Sequence, residues 1–65
     1  PKPWHGKIYE VYFRRHNRMF YIIINNTVYI LHVCRKQKNK TEKADSELIL
    51  KRAKELEKKF GRKFI

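Results

Sequence analysis

The stretch NRMFYIIINNTVYILHVC, residues 17–34, decides the fold. Residues 19–24 are apolar at every position, the mark of a central strand covered on both faces. Asn25 and Asn26 follow, and asparagine tolerates the positive φ that a two-residue hairpin turn demands. Residues 28–34, rich in β-branched and aromatic side chains, supply the returning strand. Counting from that turn pairs Ile24 with Thr27, Ile22 with Tyr29, Phe20 with Leu31 and Arg18 with Val33, all on one face. Met19, Tyr21, Ile23, Val28, Ile30, His32 and Cys34 then project from the other. On this register His32 cannot meet Arg18 and is expected to pack on the helix-facing side.

Upstream, residues 7–15 read as a strand, with Tyr9, Val11 and Phe13 alternating with Ile8, Glu10, Tyr12 and Arg14. A three-residue loop of Arg15, His16 and Asn17, with Asn17 left-handed, places Glu10, Tyr12 and Arg14 on the Arg18 face. A two-residue turn places Arg15 there instead, and the longer loop is preferred. Downstream, Ile49, Ala53, Leu56 and Phe60 form one apolar stripe, flanked by Leu48 and Leu50, on a helix running from about Glu42 or Asp45 to Phe60. Thr41 or Asp45 suits the N-cap and Gly61 the stop. Glu47, Lys51, Glu55 and Lys59 alternate in charge along the opposite, solvated face.

The expected fold is therefore α+β: a small antiparallel sheet of about three strands followed by a C-terminal helix, one domain over residues 1–65. A sheet apolar on both faces needs two covers and one helix supplies one. An upstream segment outside this chain, a partner protein or a second copy is expected to supply the other. The start at Pro1, without an initiator Met, fits a fragment or a processed product.

Lysine and arginine number 17 against 6 acids, a net charge of +11. Residues 1–41 hold nine basic groups and one acid (+8), and residues 42–65 hold eight and five (+3). The excess belongs to the sheet and the loop after it, VCRKQKNKTEK at residues 33–43, rather than to a cationic membrane-surface helix. Cations on an exposed loop suit an anionic polymer, because each one placed on a phosphate releases counterions. The expected partner is RNA. The single Cys34 makes neither an internal disulfide nor a zinc site and is read as a buried, inert thiol of an intracellular protein. No metal or cofactor is expected. No apolar run approaches the roughly 18 residues of a membrane span, and no signal-peptide pattern is present. His5 and His16 read as loop residues, and Trp4 and the tyrosines as core or sheet surface rather than base-stacking groups.

Taken in order, KPWHGKIYEVYF, NRMFYIII, TVYILHVCRKQKNKT and ELILKRAKEL resemble the C-terminal two-thirds of RelE/HigB-type toxins of bacterial and phage toxin–antitoxin modules. Those toxins carry a lead-in ending Lys-Pro-Leu and strands reading Tyr-Glu-Leu-Arg and Tyr-Arg-Ile-Phe-Tyr. A strand ending Leu-Leu-His-Gly-Phe, a Lys-Lys-x-x-Lys-Thr loop and a basic helix follow. The resemblance implies a RelE/ParE-like domain whose N-terminal helices are missing from this chain. It further implies a cytoplasmic, ribosome-dependent mRNA endoribonuclease that inhibits translation and is sequestered by a cognate antitoxin, with self-association possible and no membrane partner. The chemistry is attack of a ribose 2′-hydroxyl on the adjacent phosphate, which needs a base, cations for the developing charge and an acid for the leaving oxygen.

Carried over by position, the family's strand arginine falls on Arg18, a bidentate phosphate clamp, with Arg14 able to join it. The loop lysines fall on Lys36, which joins Arg18 and Arg14 in the catalytic group, and on Lys40, which with Arg35, Lys38 and Arg15 makes up the RNA-contacting set. Two departures stand out. Tyr12 replaces the arginine of Tyr-Glu-Leu-Arg, and Glu42 the proline after the loop threonine. Where other branches carry lysines on the first strand this chain has Glu10 and Tyr12, which are the substitutes for proton transfer. Two other functions remain open: a non-catalytic basic module binding nucleic acid or an antitoxin, and a ParE-like toxin with a protein target.

Overall fold

The computed structural model describes residues 1–35 and 41–65. Four strands form one antiparallel sheet in the order of the chain: β1 (Lys2–His5), β2 (Ile8–Phe13), β3 (Asn17–Ile24) and β4 (Thr27–Arg35). The helix α1 (Lys43–Phe60) then lies across one face. The α+β class holds. The additional strand is β1, drawn from the lead-in ahead of Gly6 and paired with β2 through Lys2–Glu10, Pro3–Tyr9 and His5–Ile8. Trp4 sits at the irregularity in that pairing and turns inward, its ring meeting Phe20 edge-on at 5.2 Å.

The β2–β3 turn has three residues, one position earlier than the sequence suggested. Phe13 pairs with Asn17, so the loop is Arg14, Arg15 and His16. The left-handed residues are Arg14 (φ 45°) and Arg15 (φ 69°), not Asn17. The face assignment of Glu10 and Tyr12 survives, because Tyr12 pairs with Arg18 and Glu10 with Phe20. Arg14 leaves the strand for the turn.

The β3–β4 hairpin begins as the Asn25–Asn26 turn dictates, both asparagines adopting positive φ, and keeps the expected register through Ile30 opposite Tyr21. Then it slips. Tyr21 opposes Ile30 but Phe20 opposes His32, leaving Leu31 as the extra residue of a β-bulge. Past a bulge every side chain changes face. His32 and Cys34 therefore join the Arg18 face, correcting the placement of His32 away from Arg18. The bulge is held by α1, where the Arg52 guanidinium donates to the Leu31 carbonyl at 2.6 Å.

The helix covers the face carrying Ile8, Phe20, Ile22, Ile24 and Leu31. Ile49, Ala53 and Phe64 complete the core, with Leu50, Leu56 and Phe60 packed around it. That is the stripe read from the sequence, although the face it covers is the one bearing Arg18. Neither expected N-cap serves as one. Glu42 holds that position, the Thr41 hydroxyl accepts the Trp4 indole N–H at 3.1 Å, and Asp45 pairs with His32. Gly61 ends the helix in the left-handed conformation (φ 64°), as expected.

Beyond Gly61 the chain turns back, buries Phe64, and joins the β1–β2 turn through Lys7 N–H donating to the Phe64 carbonyl at 2.7 Å. Gly6 (φ 55°) is required there, since a Cβ would stand 2.4 Å from that carbonyl oxygen. The Glu57 carboxylate accepts the N–H groups of Phe64 (2.7 Å) and Ile65 (3.0 Å), and these bonds hold its carboxyl below the ordinary range. A depressed folded-state pKa stabilises the fold above the ordinary carboxylate range, and that stabilisation is lost as pH falls through the folded value. Glu57→Gln is accordingly expected to melt with a shallower acid limb than the parent chain, the two converging at the lowest pH. Parallel acid limbs in a thermal-melting series would remove this role.

The second sheet face is uncovered by any described element. Ile23, Val28, Ile30 and Val33 remain between 50 and 60 % exposed, and Tyr9 stacks on Tyr21 beside them at 5.9 Å. Among the described residues no helix is long and apolar enough to cross a membrane.

Candidate functional site

One end of the sheet gathers most of the residues singled out by the sequence. The β2–β3 turn presents Arg14 and Arg15 to solvent, and the Asn17–Arg35 pair brings exposed Arg35 to the same end. Lys36, Lys38 and Lys40, the remaining members of the basic set, lie outside the described residues. Just inward on the helix-covered face, Tyr12 and Arg18 pair across β2 and β3, and Arg18 pairs with Cys34 across β3 and β4.

Arg18 and Glu10 form a buried ion pair. Their side chains are 5 % and 2 % exposed, and both Nε and a terminal nitrogen of Arg18 engage Oε2 of Glu10. Arg18 lies between two rings, 5.5 Å from the Tyr12 centroid and 5.3 Å from that of Phe20, where cation–π attraction adds to the pairing. Glu10 is met from outside by Lys2, whose ammonium lies 3.6 Å from Oε1 and also 5.6 Å from the Tyr12 ring. A shallow depression lined by Pro1, Lys2, Glu10, Val11 and Tyr12 opens at this edge. The guanidinium is thus turned toward Glu10 rather than toward solvent, and exposed cations of this end, among the described residues, include Lys2, Arg14, Arg15 and Arg35.

On the β4 side, Nε2 of His32 lies 2.8 Å from Oδ1 of Asp45 in the first turn of α1. Cys34 is partly buried beside them. Its thiol is pushed above the ordinary range chiefly by burial and then by the Asp45 carboxylate, with Arg18 opposing and Glu10 adding a little. Burial thus disfavours the thiolate form of Cys34.

Lys2, His32 and Asp45 were not placed in the site by sequence reasoning. Gly6 between two extended runs was the available signal for β1, and hence for Lys2 facing Glu10. No residue type in Ile30-Leu31-His32 marks a bulge, so although His32 was expected on the helix-facing side, neither its sharing of that face with Arg18 nor its contact with Asp45 was readable.

A small antiparallel sheet backed by one helix, with exposed basic residues beside a buried arginine–glutamate pair, defines a small α+β domain. The family model described as "Phage derived protein Gp49-like (DUF891)" matches residues 2–54, and the chain belongs to that family, which is associated with the toxins of toxin–antitoxin modules. No curated protein and no solved structure gives a match.

Proposed function

We propose that this protein is the toxin of a type II toxin–antitoxin module, a RelE/HigB-like endoribonuclease that cuts mRNA on translating ribosomes in the cytoplasm and is held in check by a cognate antitoxin. The observation that supports this most is the grouping of Arg14, Arg15 and Arg35 at one end of the sheet, beside the Glu10–Arg18–Tyr12 cluster and at the start of residues 36–40. The rim cations, with Lys36, Lys38 and Lys40, hold the RNA backbone. Arg18 supplies fixed positive charge toward the scissile phosphate, and Glu10 or Tyr12 moves the proton. For that chemistry Tyr12 and Lys2, which border the ion pair at its open edge, must shift to let phosphate compete with Glu10 for the guanidinium.

The burial of Arg18 against Glu10 favours a second reading, a basic module that binds RNA without cutting it. Mapping of message ends after the purified chain is added to a translating extract separates the two. Cleavage confined to translated messages is expected, falling roughly 10²–10³-fold in Arg18→Lys, which keeps a cation opposite Glu10 but loses the fork. Binding without any cut would leave the second reading. The rim is tested independently: replacing Lys36, Lys38 and Lys40 together with alanine is expected to lower the salt slope of RNA binding by about two to three units. An unaltered slope would assign the phosphate contacts elsewhere.

A further inference from the structure

Three side chains with metal-binding chemistry converge where β4 meets the first turn of α1. The donor atoms of His32, Cys34 and Asp45 all lie within 4.8 Å of one another. His32 and Cys34 are two apart on β4 and share a face by strand periodicity, and the bulge at Leu31 turns that face toward the helix carrying Asp45. Tetrahedral zinc at ordinary Zn–S, Zn–N and Zn–O lengths separates its donors by roughly 3.3–3.6 Å. The His32–Asp45 contact at 2.8 Å need open only slightly, and Cys34 close in, to reach that spacing. The side chains of His32 and Asp45 are 15 % and 29 % exposed, so the group is sheltered yet reachable. Local charge is also suitable for a chain of +11, because Glu10 neutralises Arg18 and leaves the Asp45 charge to act on the site.

A Cys–His–Asp group also suits covalent catalysis, but that chemistry needs a readily ionised thiol, and burial works against one at Cys34. We propose that Cys34 Sγ, His32 Nε2 and Asp45 Oδ1 form a three-ligand site for a divalent cation of borderline softness, Zn2+ being the best match. The fourth position is taken by water or by a ligand from outside the chain. Binding releases the thiol proton to solvent and ties the end of β4 to the start of α1. The single cysteine, which by itself implies no zinc site, acquires two further ligands of different type from the fold. This site stands whether or not RNA is cleaved.

Titration of the reduced chain with Co2+, followed by displacement with Zn2+, tests the site. One equivalent is expected to produce thiolate-to-cobalt absorption that Cys34→Ser abolishes. Loss of a ligand is expected to weaken binding by at least the roughly 10–100-fold typical of losing a supporting partner, in both His32→Gln and Asp45→Asn. His16→Gln, in the exposed β2–β3 turn, controls for adventitious histidine binding and is expected to match the parent. Zn2+ is also expected to raise the melting temperature of the parent chain and not that of Cys34→Ser. Absence of the thiolate band, its persistence in Cys34→Ser, or equal weakening by His16→Gln and His32→Gln would overturn the proposal. If Cys34→Ser fails to fold by circular dichroism, Asp45→Asn carries the comparison, and unaltered affinity in that variant overturns it as well.

Discussion

Arg18→Ala is expected to lose about 3–5 kcal/mol of folding stability, the usual result of removing one partner from a buried ion pair. The side chain is 5 % exposed and lies between Tyr12 and Phe20, and its removal takes from the Glu10 carboxylate, 2 % exposed, its buried counter-charge, while Lys2 at 3.6 Å is an outlying, exposed ammonium. A domain of this length has roughly 3–10 kcal/mol in total at ordinary stability per residue, so the variant is expected to be largely unfolded at physiological temperature. Glu10→Gln combined with Arg18→Met removes both charges, keeps much of the volume, and should recover most of the loss. Urea denaturation of the two variants beside the parent measures this directly. An Arg18→Ala variant within about 1 kcal/mol of the parent would mean that the pair is not buried in solution. The consequence for function is practical: loss of toxicity in Arg18→Ala reports on folding, and only a folded variant such as Arg18→Lys reports on chemistry.

The open sheet face carries the second large effect. Ile23, Val28, Ile30 and Val33 form a contiguous apolar surface with Tyr9, Met19 and Tyr21, since Ile23 pairs with Val28, Tyr21 with Ile30 and Met19 with Val33. Such patches on a soluble chain mark contact surfaces. The purified chain is expected to bind a hydrophobic dye and to self-associate as its concentration rises. Ile23→Lys with Ile30→Lys is expected to weaken association by at least about 30-fold, the equivalent of one central contact worth roughly 2 kcal/mol. Folding stability should stay within about 0.5 kcal/mol, because both side chains already face solvent. Sedimentation over a wide concentration range decides it: a monomer throughout, with no dye binding, would show the face to be inert.

Composition and spacing settled much of this protein before any folding was considered. The charge excess of the first 41 residues, the Asn25–Asn26 hairpin, the helix stripe of Ile49, Ala53, Leu56 and Phe60, and the Gly61 stop are local features, each written in residue type and period. The face shared by Glu10, Tyr12 and Arg18 was legible too, because a three-residue loop shifted by one position preserves strand parity. The bulge at Leu31 was not. It depends on Arg52, some twenty residues downstream, donating to the Leu31 carbonyl, and on Asp45 meeting His32. One inserted residue reverses every side chain beyond it, so the company that His32 and Cys34 keep is a property of the packed sheet and helix. The role of Arg18 follows the same division. Its charge and strand position are in the sequence, but its enclosure by Glu10, Tyr12 and Phe20 exists only once three strands and the helix have excluded water around it.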